Sequence, residues 1–214
     1  MSSDQDERIG ARPKTRRQTE KEQRYRDLLR TAGQLFGTHG YSAVTLDDIG
    51  TEVGVSGQAI YRHFKGKQDL LGRILLEISA QLLAGGQQIQ AEQRRVGERL
   101  ESLIGFHVDF ALTSPEIIRV QEQEMPQLLE TDRRSVRRMQ RQYIEIWSAA
   151  IADVHPGITT VELRTRIHGV FGLINSTARS VGRPDRRASP AEDAASSAPT
   201  LRAMARAAID ARLG

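Results

Sequence analysis

Two neighbouring residues near the first third of the sequence have side chains suited to reading DNA bases. The amide of Gln58 can form two parallel hydrogen bonds with N6 and N7 of adenine, and Ala59 can contact a thymine methyl group. A lone glutamine on a helix is usually only solvated. The interpretation therefore depends on whether the surrounding sequence presents these residues to a DNA groove.

Other kinds of chemistry have little support in the sequence. The five histidines are not spaced as metal ligands on one helix, and the chain has no cysteine: His39, His63, His107, His155 and His168. No nucleophile elbow, phosphate-binding glycine loop or dinucleotide fingerprint is present. We therefore expect neither an enzyme nor a bound metal or cofactor.

The element around Gln58 is predicted to be two short helices joined by a tight turn. Thr45 and Ser56 are suitable N-caps, and Gly54 suits the left-handed conformation that ends a helix. The pattern turns Val55, Ile60 and Phe64 inward. The same periodicity places five residues on the outer surface: Gly57, Gln58, Tyr61, Arg62 and His63. This is a helix-turn-helix, whose second helix enters the DNA major groove.

The same stretch resembles the N-terminal domain of the TetR family of bacterial transcriptional regulators. The resemblance lies in Gly40-Tyr41, Thr45, Gly54-Val55-Ser56, Tyr61-Arg62-His63-Phe64, and Lys67 with Leu70-Leu71. It implies phosphate contacts by Thr45, Tyr61, His63 and Lys67, and base-edge positions at Gly57, Gln58 and Ala59. The family commonly has Gly-Thr where this chain has Gln58-Ala59, so the resemblance leaves the target sequence undetermined. The predicted DNA surface comprises Thr45, Ser56, Gly57, Gln58, Ala59, Tyr61, Arg62, His63 and Lys67.

Residues 1–22 lack a periodic apolar pattern and gather basic residues, so we expect a flexible arm. Such an arm either reaches a neighbouring minor groove, with Arg16 and Arg17 contacting DNA, or is a solvated tail.

The rest of the chain predicts an all-α protein with a helix-turn-helix domain over 23–70 and a helical domain over 71–214. Apolar periodicity indicates helices over about 25–39, 67–82, 97–113, 115–124, 126–154, 160–181 and 201–213. Residues 182–198 are rich in small and polar residues, which favours a surface loop. The resemblance implies a homodimer whose interface is formed by residues 160–181 and 199–213. Gly169 and Gly172 either let helices approach there or give flexibility to a pocket.

The middle helices are suited to an apolar pocket for a small-molecule effector. The candidate lining residues are Phe106, His107, Phe110, Gln121, Met125, Tyr143, Trp147, Phe171 and Asn175. Each is also an ordinary core residue, but His107 and Asn175 are more informative, because a polar group on a buried face needs a partner. Residues 125–147 vaguely resemble TetR regulators of lipid or acyl-thioester metabolism. On that hypothesis the arginines at 137, 138 and 141 meet an anionic head group.

Composition predicts a cytoplasmic protein. The chain has 214 residues, no cysteine and no apolar run of membrane-spanning length, and its formal charge is only +4. Net charge of this size is weak evidence for nucleic acid. We expect a repressor that binds a near-palindromic DNA operator and is released by an effector. The alternatives are an activator or ligand-independent regulator, and a helical ligand-binding protein or enzyme with a vestigial DNA-binding motif.

Overall fold

The computed structural model describes residues 15–92, 95–181 and 190–211, and all regular secondary structure within these ranges is helical. The prediction of an all-α fold is confirmed. The helices are α1 (Arg16–His39), α2 (Leu46–Val53), α3 (Gly57–Ile60), α4 (Lys67–Ala91), α5 (Glu98–Thr113), α6 (Pro115–Gln123), α7 (Glu130–Val154), α8 (Thr160–Val181) and α9 (Pro190–Asp210). A single 3-10 turn, Met125–Gln127, precedes α7.

The helices bury two hydrophobic cores that meet along α4. The N-terminal core joins α1, α2, α3 and the first half of α4 to α6 and the start of α7. The C-terminal core joins α5, α7, α8 and α9 to Leu83 in the second half of α4. Phe110 of α5 packs against both cores. A helix of 25 residues, roughly 37 Å long, therefore connects the two halves of the molecule.

Two segments predicted to be irregular are helical where the structure describes them. Thr15 caps α1 by accepting a hydrogen bond from the amide of Gln18, whose side chain in turn accepts from the Thr15 amide. This capping box extends α1 into the predicted arm, so the prediction of a flexible arm is wrong for residues 15–22. The loop predicted over 182–198 is wrong for residues 190–198, which form the start of α9. Residues 1–14 and 182–189 lie outside the described residues.

Helix α6 crosses α1 at two glycines within the N-terminal core. Gly33 packs against Ile117, and Gly37 packs against the backbone of Glu116. One turn further along α6, a guanidinium nitrogen of Arg119 donates a 2.7 Å hydrogen bond to the Gly37 carbonyl. The absence of a Cβ at Gly33 and Gly37 thus allows α6 to approach α1 more closely than larger residues would permit.

We predict that Gly37→Ala lowers stability by about 1–3 kcal/mol, because a Cβ at this position would lie 2.7 Å from the Glu116 carbonyl carbon. Urea unfolding followed by circular dichroism measures the effect. Gly105→Ala is the control, since its Cβ would meet only Arg202 at 3.8 Å and alanine is the better helix former. Equal stability of the two variants would contradict the close crossing of α1 and α6.

Candidate nucleic-acid interface and buried polar core

The first helix of the predicted DNA-binding motif is held by a reciprocal cap. The Asp48 amide donates to the Thr45 hydroxyl at 3.1 Å, and the Asp48 carboxylate accepts from the Thr45 amide at 2.8 Å and from its hydroxyl at 2.7 Å. These hydrogen bonds hold the pKa of Asp48 below its usual value. Thr45 therefore has a structural role beside the phosphate contact that the family resemblance implies.

The turn between α2 and α3 depends on three glycines. Gly54 has the left-handed conformation with φ of 73°, as predicted. A Cβ on Gly50 would lie 2.7 Å from the Val55 carbonyl oxygen, and a Cβ on Gly57 would lie 2.9 Å from the Asp47 carboxyl carbon. Gly57 is buried against α2, so the prediction that it faces outward is wrong. Because α2 and α3 cross so closely, positions 50 and 57 have room for the hydrogen atom of a glycine but not for a Cβ.

The second helix is shorter than predicted. Ser56 caps it by accepting from the Ala59 amide at 3.2 Å, but the α-helical part ends at Ile60, and residues 61–63 form a turn. Ile60 and Phe64 are buried as predicted. Val55 is 41% exposed, so the prediction that it packs inward is wrong. It follows the left-handed glycine, which turns the chain away from the core.

Four polar side chains remain on the outer surface of α3 and its turn. Gln58, Tyr61, Arg62 and His63 are exposed, and Ala59 beside them is half-buried. In the part of the chain that the structure describes, Gln58, Tyr61 and Arg62 have neither a side-chain hydrogen bond nor an ion pair. Their donors are therefore available to an external partner. The helices that carry them are capped by Thr45 and Ser56.

Lys67 has a structural role that the sequence pattern did not reveal. Its ammonium donates to the backbone carbonyls of Tyr41 at 2.8 Å, Ser42 at 3.3 Å and Val44 at 2.9 Å, and it lies 4.6 Å from the centre of the Tyr41 ring. An ammonium has three donors, and all three are used. Lys67 thus binds the start of α4 to the turn between α1 and α2, while its phosphate contact stays a prediction.

Arg16 and Arg17 lie in the first turn of α1, at the end of the helix that extends past the N-terminal core. Arg16 forms an ion pair of 2.9 Å with Glu20, but its side chain is 93% exposed, so this pair contributes little stability. Arg17 is exposed as well. A contact with DNA at these positions would be made by a helix end instead of an extended arm.

Three of the predicted ligand residues form one hydrogen-bonded group in the C-terminal core. His107 Nε2 lies 3.3 Å from the Asn175 side-chain oxygen, and the Tyr143 hydroxyl lies 3.4 Å from His107 Nδ1. Burial lowers the pKa of His107 to about 4, although the Asn175 hydrogen bond opposes this change. The ring is therefore neutral near pH 7. In the tautomer that fits both contacts, Nε2–H donates to the Asn175 oxygen, and Nδ1 accepts a hydrogen bond from the Tyr143 hydroxyl.

Two aromatic side chains pack around this group. The Phe171 ring stacks on His107 with centroids 4.8 Å apart, and the Trp147 ring meets Phe171 edge-on at 5.1 Å. Burial raises the pKa of Tyr143, and the nearby indole N–H of Trp147 offsets this only in part. The buried Trp147 nitrogen has no hydrogen bond of good geometry. The five residues thus form a packed interior with one unsatisfied donor.

Phe110 also contacts this group, with the ring centroids of Phe110 and His107 6.3 Å apart, and ligand binding by the nine candidate residues stays a prediction. Phe106 and Phe110 lie on α5 beside a cleft that faces α1 and α4. Met125 packs against the N-terminal core, and Gln121 is half-buried on α6. Helical periodicity indicated which faces are apolar, but it did not indicate which neighbouring helix each face meets.

None of the described helices combines the length and the apolar character needed to cross a bilayer. Residues 15–92, 95–181 and 190–211 contain no group of three histidine, cysteine or acidic side chains that could hold a metal ion.

Relatives of known function match parts of the chain. The nucleoid occlusion factor SlmA of Haemophilus influenzae is 28% identical over 108 residues, and the match covers 50% of each chain. The chain thus spans about half the length of this relative. The fatty acid metabolism regulator protein of Bacillus subtilis is 21% identical over 164 residues, which are 74% of this chain and 83% of the relative.

Solved structures share the fold. A TetR-family regulator from Bordetella parapertussis superposes with a TM-score of 0.70 at 21% identity, covering 84% of this chain and 92% of the other. FadR from Bacillus subtilis, in complex with stearoyl-CoA, gives 0.61 at 18% identity, covering 85% and 97%. AibR, in complex with isovaleryl coenzyme A and operator DNA, gives 0.62 at 21% identity, covering 83% and 97%.

Two family models match consecutive parts of the sequence. The model for bacterial regulatory proteins of the tetR family matches residues 28–74, which include α2, α3 and Lys67. The model for the tetracyclin repressor-like C-terminal domain matches residues 93–179, from α5 through most of α8. Both halves of the fold are thus accounted for, and the chain belongs to the TetR family of transcriptional regulators.

Proposed function

We propose that this protein is a cytoplasmic repressor that binds a two-fold symmetric DNA operator as a homodimer and is released by a small-molecule effector. The observation that carries the proposal is the exposed, unpaired group Gln58, Tyr61 and Arg62 on a capped helix-turn-helix. Free donors on a rigid support are what base and phosphate contacts require. AibR, which shares the fold, was solved with operator DNA.

The homodimer is supported by the outer surfaces of α8 and α9. Val161 is 77% exposed and Met204 is 45% exposed, and a Cβ on Gly169 or Gly172 would meet nothing within 4 Å. The inner face of α9 is fully used against the C-terminal core, through Leu201, Ala205 and Ile209. The outer faces would pack on the same faces of a second copy, forming a four-helix interface. The α3 helices of the two copies would then contact two halves of the DNA operator whose centres are about 34–36 Å apart.

We propose acyl-coenzyme A as the effector class. Two proteins with this fold were solved with stearoyl-CoA and with isovaleryl coenzyme A. The packed group around His107 is apolar with few polar atoms, which suits an acyl chain that displaces side chains. Arg137, Arg138 and Arg141 are exposed on α7, and the described part of the chain offers them no ion pair. Guanidinium groups of this kind bind phosphate oxygens.

Release requires the effector to favour an arrangement that does not fit the operator. Helix α4 contributes to both cores and begins at Lys67, which is bound to the turn before α2. Opening of the C-terminal core would tilt α4. The α3 helices of the two copies would then no longer have the spacing of the two operator half-sites.

We predict that Gln58→Ala weakens binding to the operator by about 1–3 kcal/mol, because the bidentate contact to a base is lost. The measurement is fluorescence anisotropy with DNA from upstream of the protein's own gene, beside a scrambled duplex at the same salt. Gln90→Ala, at the exposed far end of α4, should bind like the wild type. If Gln58→Ala leaves the ratio of operator to scrambled affinity unchanged, Gln58 does not read a base.

We predict that Gly172→Arg converts the dimer to a monomer, because it places a charged side chain on each copy in the centre of the α8 surface. Sedimentation velocity gives the oligomeric state. Ala80→Arg, on the exposed side of α4, is the matched control and should stay dimeric. A Gly172→Arg protein that sediments as the wild-type dimer would exclude this surface as the interface.

We predict that a long-chain acyl-CoA raises the melting temperature and weakens operator binding, since a ligand of the folded state stabilises it by mass action. Differential scanning fluorimetry across a series of chain lengths measures the first effect, and anisotropy measures the second. Free coenzyme A is the control for the head group alone. The acyl-CoA class is wrong if no chain length stabilises the protein.

A further inference from the structure

The aromatic rings of the C-terminal core form a stack, and one tryptophan lies across it. Phe171 is stacked on His107 with ring centroids 4.8 Å apart, and on Tyr143 with centroids 6.0 Å apart. The Trp147 ring is nearly perpendicular to Phe171, at 82°, with its centroid 5.1 Å away. Trp147 is fully buried. A hydrogen-bond partner for its indole N–H must therefore come from the protein or from a ligand.

The polar atoms of this group include more donors than acceptors. His107 uses both ring nitrogens, one toward the Asn175 oxygen and the other toward the Tyr143 hydroxyl. The Trp147 N–H acts to lower the pKa of Tyr143, but it has no hydrogen bond of good geometry. An indole nitrogen only donates, so another donor cannot pair it. A ligand that completes this group therefore has to bring an acceptor.

The acceptor that fits this position is uncharged. Burial lowers the pKa of His107 to about 4, so its ring is neutral near pH 7. Arg179, one turn beyond Asn175 on α8, is already paired with Glu122 of α6. A carboxylate here would lose its hydration without gaining a counter-ion, whereas a neutral carbonyl loses much less. Among the described residues, the aromatic and hydrogen-bonding neighbours of His107 are uncharged: Phe110, Tyr143, Trp147, Phe171 and Asn175.

We propose that Trp147 recognises the carbonyl oxygen of an acyl thioester by donating its indole N–H to that oxygen. The inference rests on the acyl-coenzyme A effector proposed above, and it names the atom by which the core selects that effector. A thioester carbonyl is neutral and only accepts hydrogen bonds, so it supplies what the group lacks. The core thereby distinguishes the thioester from an alkyl thioether and from a free fatty acid.

The remaining parts of the ligand have suitable surroundings on either side of this carbonyl. The acyl chain lies among the apolar side chains of the C-terminal core. The exposed arginines 137, 138 and 141 precede Trp147 on α7 by about 9–15 Å along the helix axis. The extended pantetheine arm of coenzyme A spans such a distance, which places the phosphates outside the core.

The test is isothermal titration calorimetry of the full chain, without DNA, with two ligands that differ by one carbonyl oxygen. These are palmitoyl-CoA and S-hexadecyl-CoA, which have the same chain length and the same head group. We expect the wild type to bind the thioester about fivefold more tightly, the effect of one hydrogen bond between neutral groups. Trp147→Phe keeps an aromatic ring but removes the N–H, so it should bind the two ligands with equal affinity.

The ratio of the two affinities separates recognition from packing. A smaller ring in the core affects the thioester and the thioether alike, and circular dichroism confirms that each variant is folded. Tyr143→Phe is the matched control, since it removes another polar group of the same cluster but keeps the indole N–H. It should keep the preference for the thioester. Loss of the preference in Tyr143→Phe but not in Trp147→Phe would overturn the assignment.

Fluorescence gives a second measurement, because Trp147 is the only tryptophan in the sequence. Hydrogen bonding of the indole N–H shifts its emission to longer wavelength, so palmitoyl-CoA should shift the wild-type spectrum more than S-hexadecyl-CoA does. Equal shifts would contradict the contact.

Failure of this inference is distinguishable from failure of the proposed effector. If neither ligand binds the wild type, the acyl-CoA class is wrong and the role of Trp147 falls with it. If both ligands bind, but with the same ratio of affinities in the wild type and in Trp147→Phe, the effector class stands and only the role of Trp147 is overturned.

Discussion

The ammonium of Lys67 connects the two functions expected of this protein. It donates to three carbonyls in the turn between α1 and α2, and it is also the first residue of α4, whose other end enters the C-terminal core. The helix-turn-helix is therefore attached to α4 by this charged group and by the apolar side chains that the first half of α4 buries in the N-terminal core. A half-buried ammonium with all its donors used is costly to detach, since three carbonyls would lose their partner. Movement of α4 consequently carries the DNA-binding surface with it.

A second attachment limits how the two halves can move. Helix α6 lies against Gly33 and Gly37 of α1, and Arg119 donates to the Gly37 carbonyl. Backbones this close cannot slide without steric contact, because packed interiors yield little to local displacement. The N-terminal core is thus held together by Lys67 and by the crossing of α1 and α6, in addition to its buried apolar side chains.

Any effector that enters the C-terminal core must offset the interactions that its side chains already form. His107 has partners on both ring nitrogens, and its neighbours stack on it, so the ligand-free core is largely satisfied. A ligand entering there must replace these hydrogen bonds and ring contacts with its own. The unsatisfied indole N–H of Trp147 is a group that such a ligand could pair. On the proposed function, an effector that favours an opened arrangement of these helices would supply the differential affinity that release from DNA requires.

The amino-acid sequence by itself determined the local features of the DNA-binding motif. Thr45, Gly54 and Ser56 act within a few residues of their own position, so their caps and turn could be read from residue type and spacing. The inward direction of Ile60 and Phe64 followed from helical periodicity. The capping box of Thr15 and Gln18 is an equally local signal, but the surrounding charges favour the interpretation of a solvated arm.

Which residues distant in sequence come into contact is determined only by the tertiary structure. It buried Gly57 against Asp47, engaged Lys67 with carbonyls more than twenty residues away, and placed Met125 in a different core from His107. Periodicity gives the apolar face of a helix but not the helix that covers it. That choice depends on crossing angles and on how closely backbones approach, and these are set only when all the helices pack together.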